Sequence, residues 1–410
     1  METPVFVGID VGTTKICTLV ARPEADGRMR IMGVGIEPSR GMNKGMVVDM
    51  QEVARAISRS VEKASRTAGV EIASALVSLA ASHVSSQISR GVVGVSGGVV
   101  DARDIQRAVE AARAIAVPHD REIVHIIQRG FRLDEQENIR EPLGMHGYRL
   151  EAEVHIITAS KASVANLREC VQHAGVEVAH FVLNPLASAE AVLTETEREM
   201  GVAVCDVGGG TTDLAVYIDG DVWHTAVIPV GGNHITRDLG YLFHLPLERA
   251  EEIKVRHGHT DPAAVSPEEL ITVRSFGDQE SVKVNRQEMA EVIEARTREM
   301  LQMVRHELHR SGYDGLLPAG VVFTGGSTRL KGFRELAREE LGMPVRVAKP
   351  EKIFGMVDRL QSPAFATSVG LLFWAQLLQT TALELEDRPA RRDTRDWWER
   401  LKAFGRSLLP

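Results

Sequence analysis

Two segments of this chain repeat one another. Val5 to Ala21 reads VFVGIDVGTTKICTLVA, and Val202 to Ile218 reads VAVCDVGGGTTDLAVYI. Each is an apolar run ending in Asp, a turn built of Gly and Thr, and a second apolar run. The aspartates, Asp10 and Asp206, stand 196 residues apart in a chain of 410, close to half its length. One such hairpin taken alone reads as a plain β-turn. Two with a shared D-V-G and Thr-Thr core point to a duplicated domain.

A turn rich in Gly and Thr presents successive backbone N–H groups. Such a nest attracts oxyanions, and glycine lets the backbone approach a phosphate with no Cβ in the way. Threonine hydroxyls add donors, and an Asp at the strand end offers a hard oxygen to Mg²⁺, usually through its waters. Two facing copies clamp a polyphosphate. The chain holds no Gly-Lys dipeptide, so a Walker A loop is excluded and the phosphate grip falls to the hairpins. A third glycine turn ends the strand-like run GVVFTGG at Gly320–Gly326.

Helix-like and strand-like stretches alternate between the repeats. Gln51 to Ala68 places Val53, Ala56, Ile57, Ser60, Val61 and Ala64 on one helical face. Leu76–Gln87 and Gly91–Val100 read as strands, and Ala102–Ala116 and Lys161–Gly175 as helices. Residues from about His83 to Thr158 read as a small inserted α/β unit. After the second repeat, Asn233–Phe243, Leu247–His257, Arg286–Arg310 and a run from Leu330 to Leu341 have helical spacing. Glu384–Arg395 is dense in charge, carries Pro389 and reads as a solvated linker.

A net charge of −8 gives no chain-wide basic field, so nucleic acid is not an expected partner. Cys17, Cys170 and Cys205 are far apart, each in an apolar stretch. They read as buried structural thiols of a reducing compartment, and no zinc pattern accompanies them. The N-terminus runs straight into a strand with no secretory leader pattern. Gln361–Leu383 is charge-free, but its Thr, Ser, Gly and Gln residues predict a buried helix of a soluble domain, not a membrane span.

These motifs resemble the actin/hexokinase/DnaK ATPase superfamily, and within it most closely the FtsA family of bacterial cell-division proteins. The matching stretches are GIDVGTTK (Gly8–Lys15), RGMNKGMVVD (Arg40–Asp49) and NPLASAEAVLTETEREMGVAVCDVGGGTTDLAVY (Asn184–Tyr217). AEEIKVRHG (Ala250–Gly258) and VVFTGGSTRLKGF (Val321–Phe333) follow in the family's order. The resemblance implies an α/β, actin-like (ribonuclease H-like) duplicated fold, with two lobes around a nucleotide cleft. It implies a first core of 1–82 and 159–195, an insert of 83–158, and a second core of 196–230 and 301–383. A further subdomain of 231–300, a linker of 384–394 and a terminal helix of 395–410 complete the expectation.

Carried over residue by residue, Gly12, Thr13, Thr14 and Lys15 form one phosphate loop, and Gly208, Gly209, Gly210, Thr211, Thr212 and Asp213 the other. Asp10 and Asp206 would organise Mg²⁺ through water. Glu251 and Lys254 would face the adenosine, although outside the family they read as an ordinary i,i+3 pair. Gly325, Gly326, Ser327 and Arg329 would close over the base. Asn184 stands nearest to the glutamine that positions the attacking water in actin-like enzymes. It is shorter, so slow ATP hydrolysis at most is expected.

The C-terminal segment speaks through its own pattern. Trp397, Leu401, Phe404 and Leu408 fall within about 60° of one another on a helical wheel, flanked by Trp398 and Leu409. Arg395, Lys402 and Arg406 take the opposite side. Residues 391–410 carry a net +3, against −11 for the rest. A short helix so divided is built to lie in an anionic lipid interface, or else to dock on a protein.

The expected function is an ATP-binding cell-division protein that polymerises at the division site, on the cytoplasmic face of the inner membrane. It would bind the acidic C-terminal peptide of FtsZ near Asn233–Glu299, with Arg286, Arg296 and Arg298 as candidates, and recruit later divisome membrane proteins. The alternatives are a small-molecule kinase of the same superfamily and a pilus-assembly or MreB-type scaffold. The kinase would leave the amphipathic tail without a role.

Overall fold

The computed structural model describes residues 4–80, 84–276 and 281–387, the last seven of them as backbone only. The expected membrane helix at 395–410, with Arg395, Trp397, Trp398, Leu401, Lys402, Phe404, Arg406, Leu408 and Leu409, lies outside the described residues.

The first half opens with three antiparallel strands, β1 (Phe6–Val11), β2 (Lys15–Pro23) and β3 (Met29–Pro38). The two-residue strands β4 (Met42–Asn43) and β5 (Met46–Val47) precede α1 (Met50–Ala68) and β6 (Ser74–Leu79). Asp49 caps α1 by accepting the amides of Gln51 and Glu52, and Val53, Ala56, Ile57, Val61 and Ala64 are buried against the sheet as their spacing predicts.

The chain then leaves this sheet for a second one, built from β7 (Ser85–Gly94), β8 (Arg121–Leu133), β9 (Gln136–Ile139) and β10 (Arg149–Ser160) in the order β7-β10-β8-β9. Helix α2 (Ala102–Arg113) covers one face, packing Ala108, Val109 and Ala112 on Leu150, Ala152, Val154 and Ile156. The chain returns through α3 (Lys161–Gln172), β11 (Glu177–Leu183) and α4 (Asn184–Val192).

The second half runs α5 (Glu195–Met200), β12 (Val202–Val207), β13 (Thr212–Ile218) and β14 (Asp221–Ile228), then α6 (Gly232–Leu242) and α7 (Leu247–His257). A hairpin of β15 (Leu270–Arg274) and β16 (Ser281–Asn285) leads into the long α8 (Arg286–Ser311). Finally come β17 (Val321–Thr324), α9 (Phe333–Leu341), β18 (Val345–Val347), β19 (Ile353–Gly355) and α10 (Ala366–Asp387).

Strand order shows the duplication directly. The first core sheet reads β3-β2-β1-β6-β11 and the second β14-β13-β12-β17-β18, each with three antiparallel strands followed by two parallel ones. Every residue of β12 and β13 is buried, the pattern of central strands covered on both faces. One departure from symmetry is β19, which comes from the second half and pairs parallel with β3 of the first.

Three local readings are corrected. Leu76–Gln87 is not one strand: β6 ends at Leu79 and β7 begins at Ser85, in different sheets, which alternation alone does not reveal. The second strand reading, Gly91–Val100, fails beyond Gly94, where β7 ends and Val95 turns its amide to the Tyr148 carbonyl. The expected linker does not start at Glu384, because α10 continues to Asp387 through residues that favour helix. None of the described helices is long and apolar enough to cross a membrane. All three cysteines are buried and unpaired.

Helix α10 crosses α4 so closely that a Cβ on Gly370 would run into the Ala187 carbonyl oxygen. Gly370→Ala is expected to cost about 3 kcal/mol through overpacking at the join of the two halves. A lower urea midpoint measures the loss, and an unchanged midpoint would refute this account of the crossing.

Candidate functional site

The two glycine elbows face one another. In each, Asp is the next-to-last residue of one strand and the chain turns back just beyond it, with Gly12 N–H donating to Lys15 O (3.0 Å) and Gly208 N–H to Thr211 O (2.9 Å). The loops touch across the cleft: a Cβ on Gly210 would sit 2.6 Å from Thr13 Oγ1, and one on Gly209 would collide with the Thr14 methyl. Only glycine fits at both places.

The aspartates lie buried beneath the elbows, each held by hydroxyls from distant elements. Asp10 accepts from Ser78 (3.0 Å) on β6 and from Ser368 (2.6 Å) on α10. Asp206 accepts from Ser188 (2.5 Å) on α4 and from Thr367 (2.7 Å) on α10. Consecutive residues at the start of α10 therefore reach the aspartates of both halves. Lys15 lies 3.3 Å from Asp10 and 4.8 Å over the Phe365 ring. Burial pulls the Lys15 ammonium down, but the Asp10 carboxylate outweighs it and the net shift is upward.

Asp213, directly across from Asp206 in the β12–β13 ladder, accepts at Oδ2 from Thr211 (3.2 Å) and from the Asn184 amide (3.3 Å). That donation fixes which way the Asn184 amide points, since its oxygen would be repelled by the carboxylate. Asn184 Oδ1 and Asp213 Oδ1 are left buried with no partner. Burial and the Asp206 charge push Asp213 well above the usual carboxylate range, and burial raises Asp206 as well. In a desolvated cleft that raises Asp206 and Asp213 toward their neutral forms, a divalent cation would favour the ionised ones.

Beyond the elbows, a cavity of about 270 Å³ is lined by Thr14, Gly209, Gly232, Asn233, Glu251, Lys254, Gly326, Ser327 and Arg329, with Leu330 and Lys331. Lys254 reaches Glu251 (2.6 Å), Gly232 O (3.0 Å) and Thr236 Oγ1 (2.8 Å), and the Thr236 hydroxyl also donates to Glu251. Ser327 donates to Gly208 O at 2.9 Å, tying the third glycine turn to the second elbow. Gly325 has φ 93°, and a Cβ there would meet Val207 O at 2.5 Å. Cavities of about 420 and 300 Å³ lie instead between the inserted sheet and the second half and hold neither elbow, so volume alone does not locate this site.

The structure thus gathers both elbows, Asp10, Asp206, Asp213, Asn184, Glu251, Lys254 and the 325–329 turn around one cleft. It does not gather the three arginines. Arg286 pairs with Glu269 (2.6 Å) and donates to His257 O, while Arg296 grips Asp238 through two nitrogens and also reaches Glu299. Arg298 meets Glu294, Glu339 and Glu340. Each guanidinium already has a carboxylate. Sequence reasoning missed Ser78, Ser188, Thr367 and Ser368. The one signal was the adjacent Thr367-Ser368 just ahead of the apolar run Val369–Ala375.

Comparison with known proteins agrees with this geometry. Residues 203–370 match the family model described as cell division protein FtsA, and residues 81–158 that of an SHS2 domain inserted in FtsA. The chain is 41% identical over 380 residues to cell division protein FtsA of Pseudomonas aeruginosa, covering 93% of this chain and 91% of that one. It is 36% identical over 410 residues to the Escherichia coli K12 protein of that name, covering 98% of each. Among solved structures it is similar to the PilM-PilN type IV pilus biogenesis complex (TM-score 0.65, 18% identity, 90% of this chain and 98% of that one). MreB5 of Spiroplasma citri bound to AMPPNP gives a TM-score of 0.58 at 14% identity, over 94% and 99%. At those identities the likeness is one of fold, which is actin-like.

Because the raised Asp213 is favoured in its protonated form on folding, ionising it at neutral pH costs stability that is recovered as pH falls. Asp213→Asn is therefore expected to raise the melting temperature of the nucleotide-free chain at pH 7.5. The gain should shrink toward pH 4, and a variant that melts lower at pH 7.5 would contradict this.

Proposed function

The chain belongs to the FtsA family of cell division proteins, and on that basis we propose that it binds Mg²⁺-ATP between its lobes and assembles on the cytoplasmic face of the inner membrane. The observation that carries the nucleotide reading is the contact of the two elbows, Gly209 and Gly210 against Thr14 and Thr13. Gly12, Thr13, Thr14 and Lys15 would bind phosphate oxygens from one lobe, and Gly208, Gly209, Gly210, Thr211 and Thr212 from the other. Glu251 and Lys254 would take the ribose side, with Gly325, Gly326, Ser327 and Arg329 around the base. The AMPPNP-bound MreB5 neighbour supports a nucleotide in this fold.

Asp10 and Asp206 would hold Mg²⁺ through water, and the metal would supply charge neutralisation on the phosphates. Their hydroxyl donors occupy part of each carboxylate, which suits outer-sphere contact. The orphaned oxygens of Asn184 and Asp213 suit a bound water near the phosphate end, consistent with slow hydrolysis and with ATP acting mainly as an assembly ligand.

Membrane attachment rests on the terminal residues Arg395–Leu409, whose split of Trp/Phe/Leu from Lys/Arg fits anionic lipid. We assign the acidic tail of FtsZ to the 231–300 region, where it would exchange with Asp238, Glu269 and Glu299 for the paired arginines. Self-assembly and later divisome membrane proteins complete the proposed partners. The subdomain limits 1–82 with 159–195, 83–158, 196–230 with 301–383 and 231–300 serve as the working division.

Two measurements test this reading. Gly210→Val, which forces a branched side chain against Thr13, should weaken binding of a fluorescent ATP analogue at least about tenfold. Unchanged affinity would remove the elbows from the site. Truncation after Thr394 should abolish sedimentation with anionic liposomes, and retained binding would remove the anchor.

A further inference from the structure

The inserted sheet belongs covalently to the first half, yet it also docks on the second. Its β7, β8 and β10 all pack on β14, the edge strand of the second core sheet. Ile127 and Ile157 of the insert share an apolar cluster with Val222 of β14, and several polar links lie beside it. Ser86 donates to Thr225 O (3.1 Å), His155 Nε2 bonds Thr225 Oγ1 (3.1 Å), and Arg140 donates to Asp219 O (2.8 Å). The Arg129 guanidinium lies 3.9 Å over the Trp223 ring.

His155 sits at the centre of this junction, 1% exposed, and its Nδ1 has no partner. The groups that face it are Arg129 and His125 from β8 and His224 from β14. His224 is itself bonded to Glu307 of α8 (2.8 Å), and Arg129 to Glu153 of β10 (2.6 Å). Both nearby carboxylates are therefore engaged by other cations or donors. A second N–H on His155 would point into a place with no acceptor, beside a guanidinium. Water can relieve that only if the junction opens.

We infer that the inserted unit is latched onto the second lobe by a proton-sensitive junction, which opens when His155 is protonated. Opening would uncover Trp223 and the β14 edge while leaving both core sheets intact. Burial, with His224, Arg129 and His125, holds the docked His155 down at about 3, whereas a solvated histidine titrates near 6.5. The sign follows: the docked arrangement is fully favoured above 6.5 and loses about tenfold in population ratio per pH unit below it. On the other side of the insert, His125 is pushed down to about 4 by burial and by His180. It accepts the Leu183 N–H (3.0 Å) and meets Trp374 edge-on, anchoring the insert to β11 and α10. The inference stands independently of nucleotide and membrane binding.

The test uses the full chain, following tryptophan emission from pH 7.5 to 4.5 with far-UV circular dichroism in parallel. The expected result is a red shift below pH 6 at constant dichroism, lost in Trp223→Phe. His155→Gln retains an N–H for Thr225 but cannot be protonated, and should remove the about thirtyfold change in population ratio at pH 5. The idea is overturned by no transition, by one that persists in Trp223→Phe, by simultaneous loss of dichroism, or by an unaltered transition in His155→Gln. Should His155→Gln fail to fold, the ring resonances of wild-type His155 decide. Ring titration below 6.5 that coincides with the emission change supports the latch, and titration at 6.5 with no accompanying emission change refutes it.

Discussion

The arrangement turns on two buried carboxylates and the hydroxyls that hold them. Asp10 and Asp206 sit at equivalent places in the two halves, and Ser368 and Thr367, neighbours on α10, reach one each. Ser188 on α4 joins them through both Asp206 and Thr367. A buried carboxylate without donors costs several kcal/mol, so these bonds decide whether the elbows can carry charge at all. Because the donors come from both halves, any change in the spacing of the lobes must strain them.

That constraint explains the tight crossing of α4 and α10, where Gly370 admits the Ala187 carbonyl. The second half closes over the first again at β19, which extends the first sheet beyond β3. The hydroxyl ties to Asp10 and Asp206, the Arg346 bond to Val192 O, the β19 ladder and a shared apolar cluster all join the lobes, while the elbows approach through Thr13 and Thr14. The elbow side of the cleft is left as the part able to adjust.

The insert adds a contact of a different kind. Its core is apolar and self-contained around Leu150, Val154 and Ile156, whereas its contact with the second half joins Ile127, Ile157 and Val222 to bonds made by histidine, arginine and serine. Separation therefore exposes a small apolar patch together with polar groups that water can satisfy. A unit folded on its own core and held by this mixed contact is suited to move as a body.

Much of this was legible beforehand. The repeated Asp-Val-Gly motif at Asp10 and Asp206 carried the duplication, because each Gly turns the chain within its own elbow, Gly12 against Lys15 O and Gly208 against Thr211 O. The 3.6-residue spacing of Val53 to Ala64 carried α1, because a helix needs one apolar face to fold onto a sheet. What sequence could not supply was long-range pairing. Nothing in the spacing of Ser78, Ser188, Thr367 and Ser368 marks them as partners of aspartates up to 358 positions away. Nor does the pattern of Leu76–Gln87 show that the chain changes sheets there. Likewise, charge made Arg286, Arg296 and Arg298 look available, but only the folded chain brings Glu269, Asp238 and Glu340 against them. Local chemistry is written residue by residue; which groups meet is settled by packing, since a hydrogen bond depends on ångströms that periodicity does not encode.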